Sequence, residues 1–315
     1  MKGDQKLVFF SIILLTASFF GGYYLSTIST TTTNPSNAVV FTPQKSQKPE
    51  LKFFIMSFCP YGNQIEDVIR PVYDLLGNDA SFVPHYIFDK IDNLETFCKS
   101  RSGDEKLCDQ YVQNKYFASV TDCKKTIGQG YTKCLDEKSY IKSASGILYS
   151  SLHGRQEGNQ NVRELCAWNL SGDSKKAWWD FVGLVNKNCT ADNADTCWEQ
   201  QGKQAGLDTN KITECFNKEA FNLIEKEIEI TTKYQIKGSP TVLINDVDFP
   251  AESAYSQDGT GSMLIGKKLA TQDKYRTPNV IKEAVCISFN KTPSECKTVL
   301  NELSGAAPSA GGCVN

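Results

Sequence analysis

Leu51-Lys52-Phe53-Phe54-Ile55-Met56-Ser57-Phe58-Cys59-Pro60-Tyr61-Gly62 is the stretch whose reading decides the fold. It opens with an apolar run of strand length, and Asn63 to Leu76 behind it reads as a helix, so Cys59 falls at a strand-to-helix junction. Pro60 suits the first helical position, where its missing N–H would be unpaired anyway, and this makes Cys59 the N-cap. A sulfur there faces unsatisfied amide donors and the positive end of the helix dipole. Both favour the thiolate, the form that attacks disulfides. The competing expectation is an inert buried thiol, the commoner fate of a free cysteine.

Ahead of this junction, residues 1–6 carry Lys2 and Lys6, and Leu7 to Leu25 is an uncharged apolar stretch. Its length matches a membrane-crossing helix, and lysines before it with none in Ser26–Phe41 favour a cytoplasmic stub and an exported body. The expectation is a single-pass transmembrane signal anchor over 7–25. Secretion after signal cleavage is the alternative. Residues 26–50 are rich in Ser, Thr, Asn, Pro, Gln and Lys, the composition of a flexible linker. The formal net charge of -2 gives no electrostatic reason to expect nucleic acid.

The chain holds 12 cysteines, and in an exported chain that number points to an oxidising compartment. Metal ligation is disfavoured, since no Cys-x-x-Cys pair occurs and the only histidines are His85 and His153. No metal or other cofactor is expected. Cys98, Cys108, Cys123, Cys134, Cys166, Cys189, Cys197, Cys215, Cys286 and Cys296 are the candidates for structural disulfides. Short separations point to Cys98/Cys108, Cys123/Cys134, Cys197/Cys215 and Cys286/Cys296, although connectivity does not follow from sequence. Gly261 to Lys268 fits most of a phosphate-binding loop, but Lys268 replaces the Ser or Thr that would hold magnesium, and no strand-then-helix frame surrounds it.

Ala80 to Phe88 reads as a second strand, giving β-α-β over residues 51–91. Residues 92–217 then carry most of the cysteines among polar and aromatic residues with little strand-like alternation, and read as a disulfide-rich α-helical insertion. Trp178, Trp179 and Phe181 belong to its core. Over 218–303 come an amphipathic helix (Lys218–Tyr234), then Gly238-Ser239-Pro240-Thr241 before a short strand, then a helix over Arg276–Phe289. Pro240, in a tight turn ahead of a strand, is a candidate cis-proline. Residues 304–315 read as a flexible tail carrying Cys313.

This order of strand, Cys59-Pro60-Tyr61, helix, and Gly238-Ser239-Pro240-Thr241 turn resembles the α/β thioredoxin-like fold, specifically DsbA-type oxidoreductases with a helical insertion. The resemblance implies that Cys59 is the catalytic nucleophile supported by Pro60, and that Tyr61, Ser239 and Pro240 meet the substrate. Gly62 departs from the pattern, because the dithiol families carry a second cysteine there. A second resemblance covers Ser151 to Cys166. There His153, Gly154, Glu157, Asn161 and Cys166 fall at the spacings of the gamma-interferon-inducible lysosomal thiol reductase signature, while Ser151, Leu152 and Gly158 depart from it. The expected function is a membrane-anchored extracytoplasmic thiol-disulfide oxidoreductase or isomerase with one nucleophilic cysteine. It would act on thiols and disulfides of exported polypeptides, with Cys313, a small thiol or a membrane redox partner as the source of the second thiol. The rival expectation is a redox-inert thioredoxin-like binding module for exported polypeptides.

Overall fold

In the computed structural model, β1 (Val39–Phe41), β2 (Glu50–Ile55), α1 (Pro60–Leu76), β3 (Ser81–Tyr86) and β4 (Asp89–Ile91) come first along the chain. Residues 39–249, 262–265, 268–271, 277–301 and 313–314 are described. The apolar span 7–25, the stub before it, the first part of the linker, Gly261, Gly266 and Lys267 of the phosphate-loop-like stretch, and most of the C-terminal tail lie outside them. Among the described residues no helix is long and apolar enough to cross a membrane.

The described residues divide into two compact units, one formed by 91–139 and the other by 39–90 with the described residues after 139. The smaller unit holds α2 (Leu94–Ser102), α3 (Cys108–Gln113) and α4 (Val120–Cys134). Its centre is a small apolar cluster of Cys108, Phe117, Cys123 and Ile127. Such a core is thin, and two nested disulfides, Cys98–Cys134 and Cys108–Cys123, supplement it. The nesting replaces the pairings Cys98/Cys108 and Cys123/Cys134. α4 folds back so that its end meets α2 and its first turn meets α3, and short sequence separation carries no such information.

The larger unit continues with β5 (Ile141–Lys142), β6 (Leu148–Ser150), α5 (Arg155–Leu170), α6 (Lys176–Asn188), α7 (Ala194–Gln204) and α8 (Thr209–Lys233). After these come β7 (Gly238–Ser239), β8 (Thr241–Ile244), β9 (Val247–Phe249), β10 (Ser262–Ile265), β11 (Lys268–Thr271), α9 (Pro278–Cys286) and β12 (Cys313–Val314). A four-stranded sheet of order β3-β2-β8-β9 lies at its centre, with β2 parallel to β3 and antiparallel to β8. Leu51, Phe53, Phe54 and Ile55 are fully buried, as a central strand covered on both faces requires. α1 presents Ile65, Val68, Ile69, Val72 and Leu76 to the core at helical spacing. Trp178 and Trp179 on α6 complete it, Trp179 stacking on Phe53 at 5.7 Å and Trp178 donating from Nε1 to the Glu164 carbonyl at 2.9 Å.

The segment read as one helical insertion thus contains a hairpin, β5–β6, and its part after residue 139 shares the core of the sheet. The stretch read as linker is structured from Val39 onward: β1 pairs with β10, and Phe41 is buried edge-on to Phe249. Backbone pairing holds this stretch, which is why its polar composition misleads. Cys197 bonds Cys189 at the end of α6, and Cys215 bonds Cys166 across the packed helices α5 and α8, in place of Cys197/Cys215. Cys286–Cys296 forms as the spacing indicates.

Candidate active site

Cys59 is the N-cap of α1 with Pro60 at the first helical position, and the Asn63 amide donates to the Cys59 carbonyl at 3.0 Å. Its sulfur is fully buried and bonded to Cys313, with the two Cα atoms 6.0 Å apart. The same sulfur lies 3.5 Å from the Ser239 carbonyl oxygen; carrying no proton in a disulfide, it makes a contact there and not a hydrogen bond. The Ser239–Pro240 peptide is cis. β12 runs antiparallel along β7, with Cys313 opposite Ser239 and Val314 opposite Gly238. Three parts of the chain that the sequence separates widely are therefore joined around one bond.

The surroundings of that bond are apolar. Phe54, Met56, Ile87 and Leu243 pack with Cys59 and Cys313, and Tyr61, Leu152, Ile230, Tyr234 and Ile236 border them. Among the expected site residues, Cys59, Tyr61, Ser239 and Cys313 meet here, while Pro60 stands at the head of α1. Two influences act on the reduced Cys59 sulfur in opposite senses: the helix N-terminus favours thiolate, and the dry apolar wall favours thiol.

Gly62 has its own reason to be glycine. A Cβ there would come within 2.7 Å of Ser239 Oγ and 3.3 Å of the Met56 carbonyl oxygen. Ser239 Oγ is already committed, accepting from the Met56 amide at 3.2 Å. The second cysteine of a dithiol motif has no room on this side of the sulfur.

Behind the Cys59 loop lies a buried polar network supplied by α5. Glu157, Asn161 and Glu164 are spaced four and three apart, so they share one face of that helix. Glu157 Oε1 accepts from the Phe58 amide at 3.0 Å, and Asn161 Oδ1 accepts from the Ser57 amide at 2.9 Å and from Ser57 Oγ at 2.6 Å. Glu164 Oε2 accepts from Ser57 Oγ at 3.0 Å and from the Tyr86 hydroxyl at 2.7 Å. His153 sits beside Glu157, its Nδ1 at 2.7 Å and its amide donating at 2.8 Å. Gly154 precedes α5 with φ 99°, a conformation glycine adopts without strain.

These carboxyls are held in different states. Burial pushes Glu157 up, but His153 beside it and hydrogen bonds from His153 and Ser151 outweigh burial and hold it below its usual range. For Glu164 burial prevails over hydrogen bonds from Tyr86, Gln160 and Ser57, and its carboxyl is pushed up to about 7. Glu66, on α1, is raised well above its ordinary value by burial and then by the charge of Glu164. Near neutral pH this pair retains a proton beneath the Cys59 loop. The thiol reductase-like spacing had marked Glu157 and Asn161 without a role. Nothing local in the sequence points to Ser57, Glu66 or Tyr86, and the position of Glu164 two turns after Glu157 is the one available signal for it. Among the described residues no group of three or more acidic, histidine or cysteine side chains is placed to hold a metal ion.

Residues 74–253 match the family model of the vacuolar sorting receptor thioredoxin-like domain. That range includes α5 and the Ser239–Pro240 turn but neither Cys59 nor Cys313. No curated protein matches. Similar solved structures include a thioredoxin-like oxidoreductase from Silicibacter pomeroyi, with 12% identity, 65% of this chain and 79% of that one covered, and a TM-score of 0.36. A putative protein disulfide isomerase from Nitrosomonas europaea has 13% identity, 76% and 96% coverage and a TM-score of 0.38. The reduced disulfide bond oxidoreductase DsbG from Mycobacterium tuberculosis has 16% identity, 70% and 82% coverage and a TM-score of 0.35. Likenesses at these scores carry no argument about activity. The thiol reductase resemblance of Ser151–Cys166 gains no support from the matches.

Proposed function

Since the chain belongs to the vacuolar sorting receptor thioredoxin-like domain family, we propose that it has kept or gained thiol-disulfide exchange on that fold, with Cys59 as nucleophile and Cys313 as the second sulfur. The single observation behind this reading is the Cys59–Cys313 bond at the head of α1, against the Ser239 carbonyl. In the reduced form the Cys59 thiolate attacks one sulfur of a substrate disulfide, and the other substrate sulfur leaves as a thiolate. Cys313 then attacks the Cys59 sulfur and expels the remaining substrate thiolate. Isomerase chemistry is the branch in which a substrate thiol performs that second attack. Ser239 and Tyr61 border the reacting bond, Pro240 follows Ser239 through the cis peptide, and the substrates are thiols and disulfides of exported polypeptides.

Export and membrane attachment belong to the same proposal. Disulfides throughout the described residues suit an oxidising compartment, and the apolar span 7–25 supplies an anchor. Sedimentation of the full chain with membranes after alkaline carbonate washing tests the anchor.

A second reading is favoured by the family match, whose name is that of a receptor domain: a module that binds exported polypeptides without exchanging electrons. Reduction of a model peptide disulfide by the pre-reduced chain separates the two. Exchange should be lost in Cys59→Ser. In Cys313→Ser, a mixed disulfide to Cys59 should accumulate. Turnover unchanged by Cys59→Ser would overturn the oxidoreductase reading.

A further inference from the structure

We infer that Cys313–Val314 is a tethered occupant of the place where Cys59 meets a substrate chain, so the oxidised protein is closed and its own last strand must leave before another polypeptide can pair there. This rests on the reading of Cys59 as the nucleophile. A bond to sulfur alone would require only that Cys313 reach Cys59. The chain does more: β12 is laid in antiparallel register on β7, with Cys313 opposite the residue whose carbonyl touches the Cys59 sulfur. Among the described residues β7 pairs with no other strand, and one row of backbone groups accepts one strand at a time. Cys59 has no exposed surface and Cys313 is 8% exposed, so the bond is buried where β12 lies along β7.

The cycle balances as follows. An external dithiol donates two electrons and two protons to the Cys59–Cys313 bond, becoming a disulfide and leaving two thiols, and β12 is then held by backbone pairing alone. A substrate strand takes its place on β7, and the Cys59 thiolate attacks its disulfide, releasing one substrate thiolate. When Cys313 re-forms its bond to Cys59, the second substrate thiolate leaves and the returning strand displaces the substrate from the same edge. Bond formation and product ejection become one event, and the closed state is restored.

The test compares Cys313→Ser, which keeps the strand without its sulfur, with a chain ending at residue 312, which lacks both. Each is reacted with two probes, a small aromatic disulfide releasing thionitrobenzoate, and a short extended peptide whose single cysteine carries the same leaving group. Mass mapping first verifies that the other five disulfides are intact. If the strand occupies the edge most of the time, the peptide should label Cys59 at least about tenfold faster in the shortened chain than in Cys313→Ser. The small probe should gain much less. Equal peptide rates in the two variants, or equal gains for both probes, would overturn strand occupancy while leaving Cys59 a working nucleophile. Failure of both probes to label Cys59 in either variant would overturn the inference together with the exchange reading.

Discussion

Gly62→Ala is the perturbation on which helix propensity and this structure give opposite signs. A glycine in a helix ordinarily costs roughly 0.5–1 kcal/mol relative to alanine, so the substitution should stabilise α1 if space allowed. Space does not allow it, because the new Cβ would stand 2.7 Å from Ser239 Oγ. Rotating that hydroxyl away leaves the Met56 amide, buried and bonded to it at 3.2 Å, without its acceptor, at about 1–3 kcal/mol. Moving the backbone instead incurs an overpacking cost of similar size. The expected net effect is destabilisation by about 1–2 kcal/mol, read as ΔΔG from urea denaturation of the oxidised chain. In Ser239→Ala the amide is already orphaned and the clash is gone, so adding Gly62→Ala should cost little, with a coupling of about 1 kcal/mol or more. A neutral or stabilised Gly62→Ala single variant would refute the reasoning, and with it the steric account of why no second cysteine stands at this position.

Three further outcomes are expected. Asn161→Ala, which removes the acceptor of the Ser57 amide and one of the two acceptors facing the Ser57 hydroxyl, should destabilise by about 1–3 kcal/mol and change the pH profile of Cys59 alkylation in the reduced chain; an unchanged profile would confine Asn161 to packing. Glu164, raised from 4.5 to about 7, binds its proton more tightly folded than unfolded, so its contribution is full below about 4.5 and is lost as pH rises to about 7. That loss amounts to roughly 3 kcal/mol, and Glu164→Gln should flatten it in denaturation midpoints taken from pH 4.5 to 7.5. Glu157, held low, acts in the other sense as pH falls below 4.5. Finally, removing Cys166–Cys215, which spans 49 residues, should cost about 4 kcal/mol against about 2.5 for Cys189–Cys197, which spans 8; equal losses in calorimetry would discount chain entropy as the cause.

The local chemistry of residues 51–76 was open to reading because each determinant lies within a few positions: strand pattern, N-cap cysteine, Pro60, and the apolar stripe from Ile65 to Leu76. The same holds for Gly238–Thr241, whose proline precedes a β-branched strand. Long-range partners were not open to reading in this way. Cys313 looks like an unplaced thiol on a Gly- and Ala-rich tail, and only the fold shows that residue 239 awaits it. Glu157, Asn161 and Glu164 carry a visible helical spacing, but what they face, the amides of Ser57 and Phe58, is set by the packing of α5 behind the Cys59 loop. The nested bridges of 91–139 are hidden from sequence for the same reason, since a helix that folds back pairs first with last.

The Cys59–Cys313 bond joins positions 254 apart and so turns most of the described chain into a ring. A pull applied between the N-terminal segment and the residues after Cys313 would load β1 and β2 and then pass through that one sulfur pair, leaving α1 and the elements after it outside the covalent load path. After reduction the same pull reaches every element in between, with up to roughly 850 Å of contour to release before the smaller disulfide loops are subtracted. A single exchange reaction at the head of α1 therefore decides whether tension reaching Cys59 is borne by a covalent bond or by the elements that follow it.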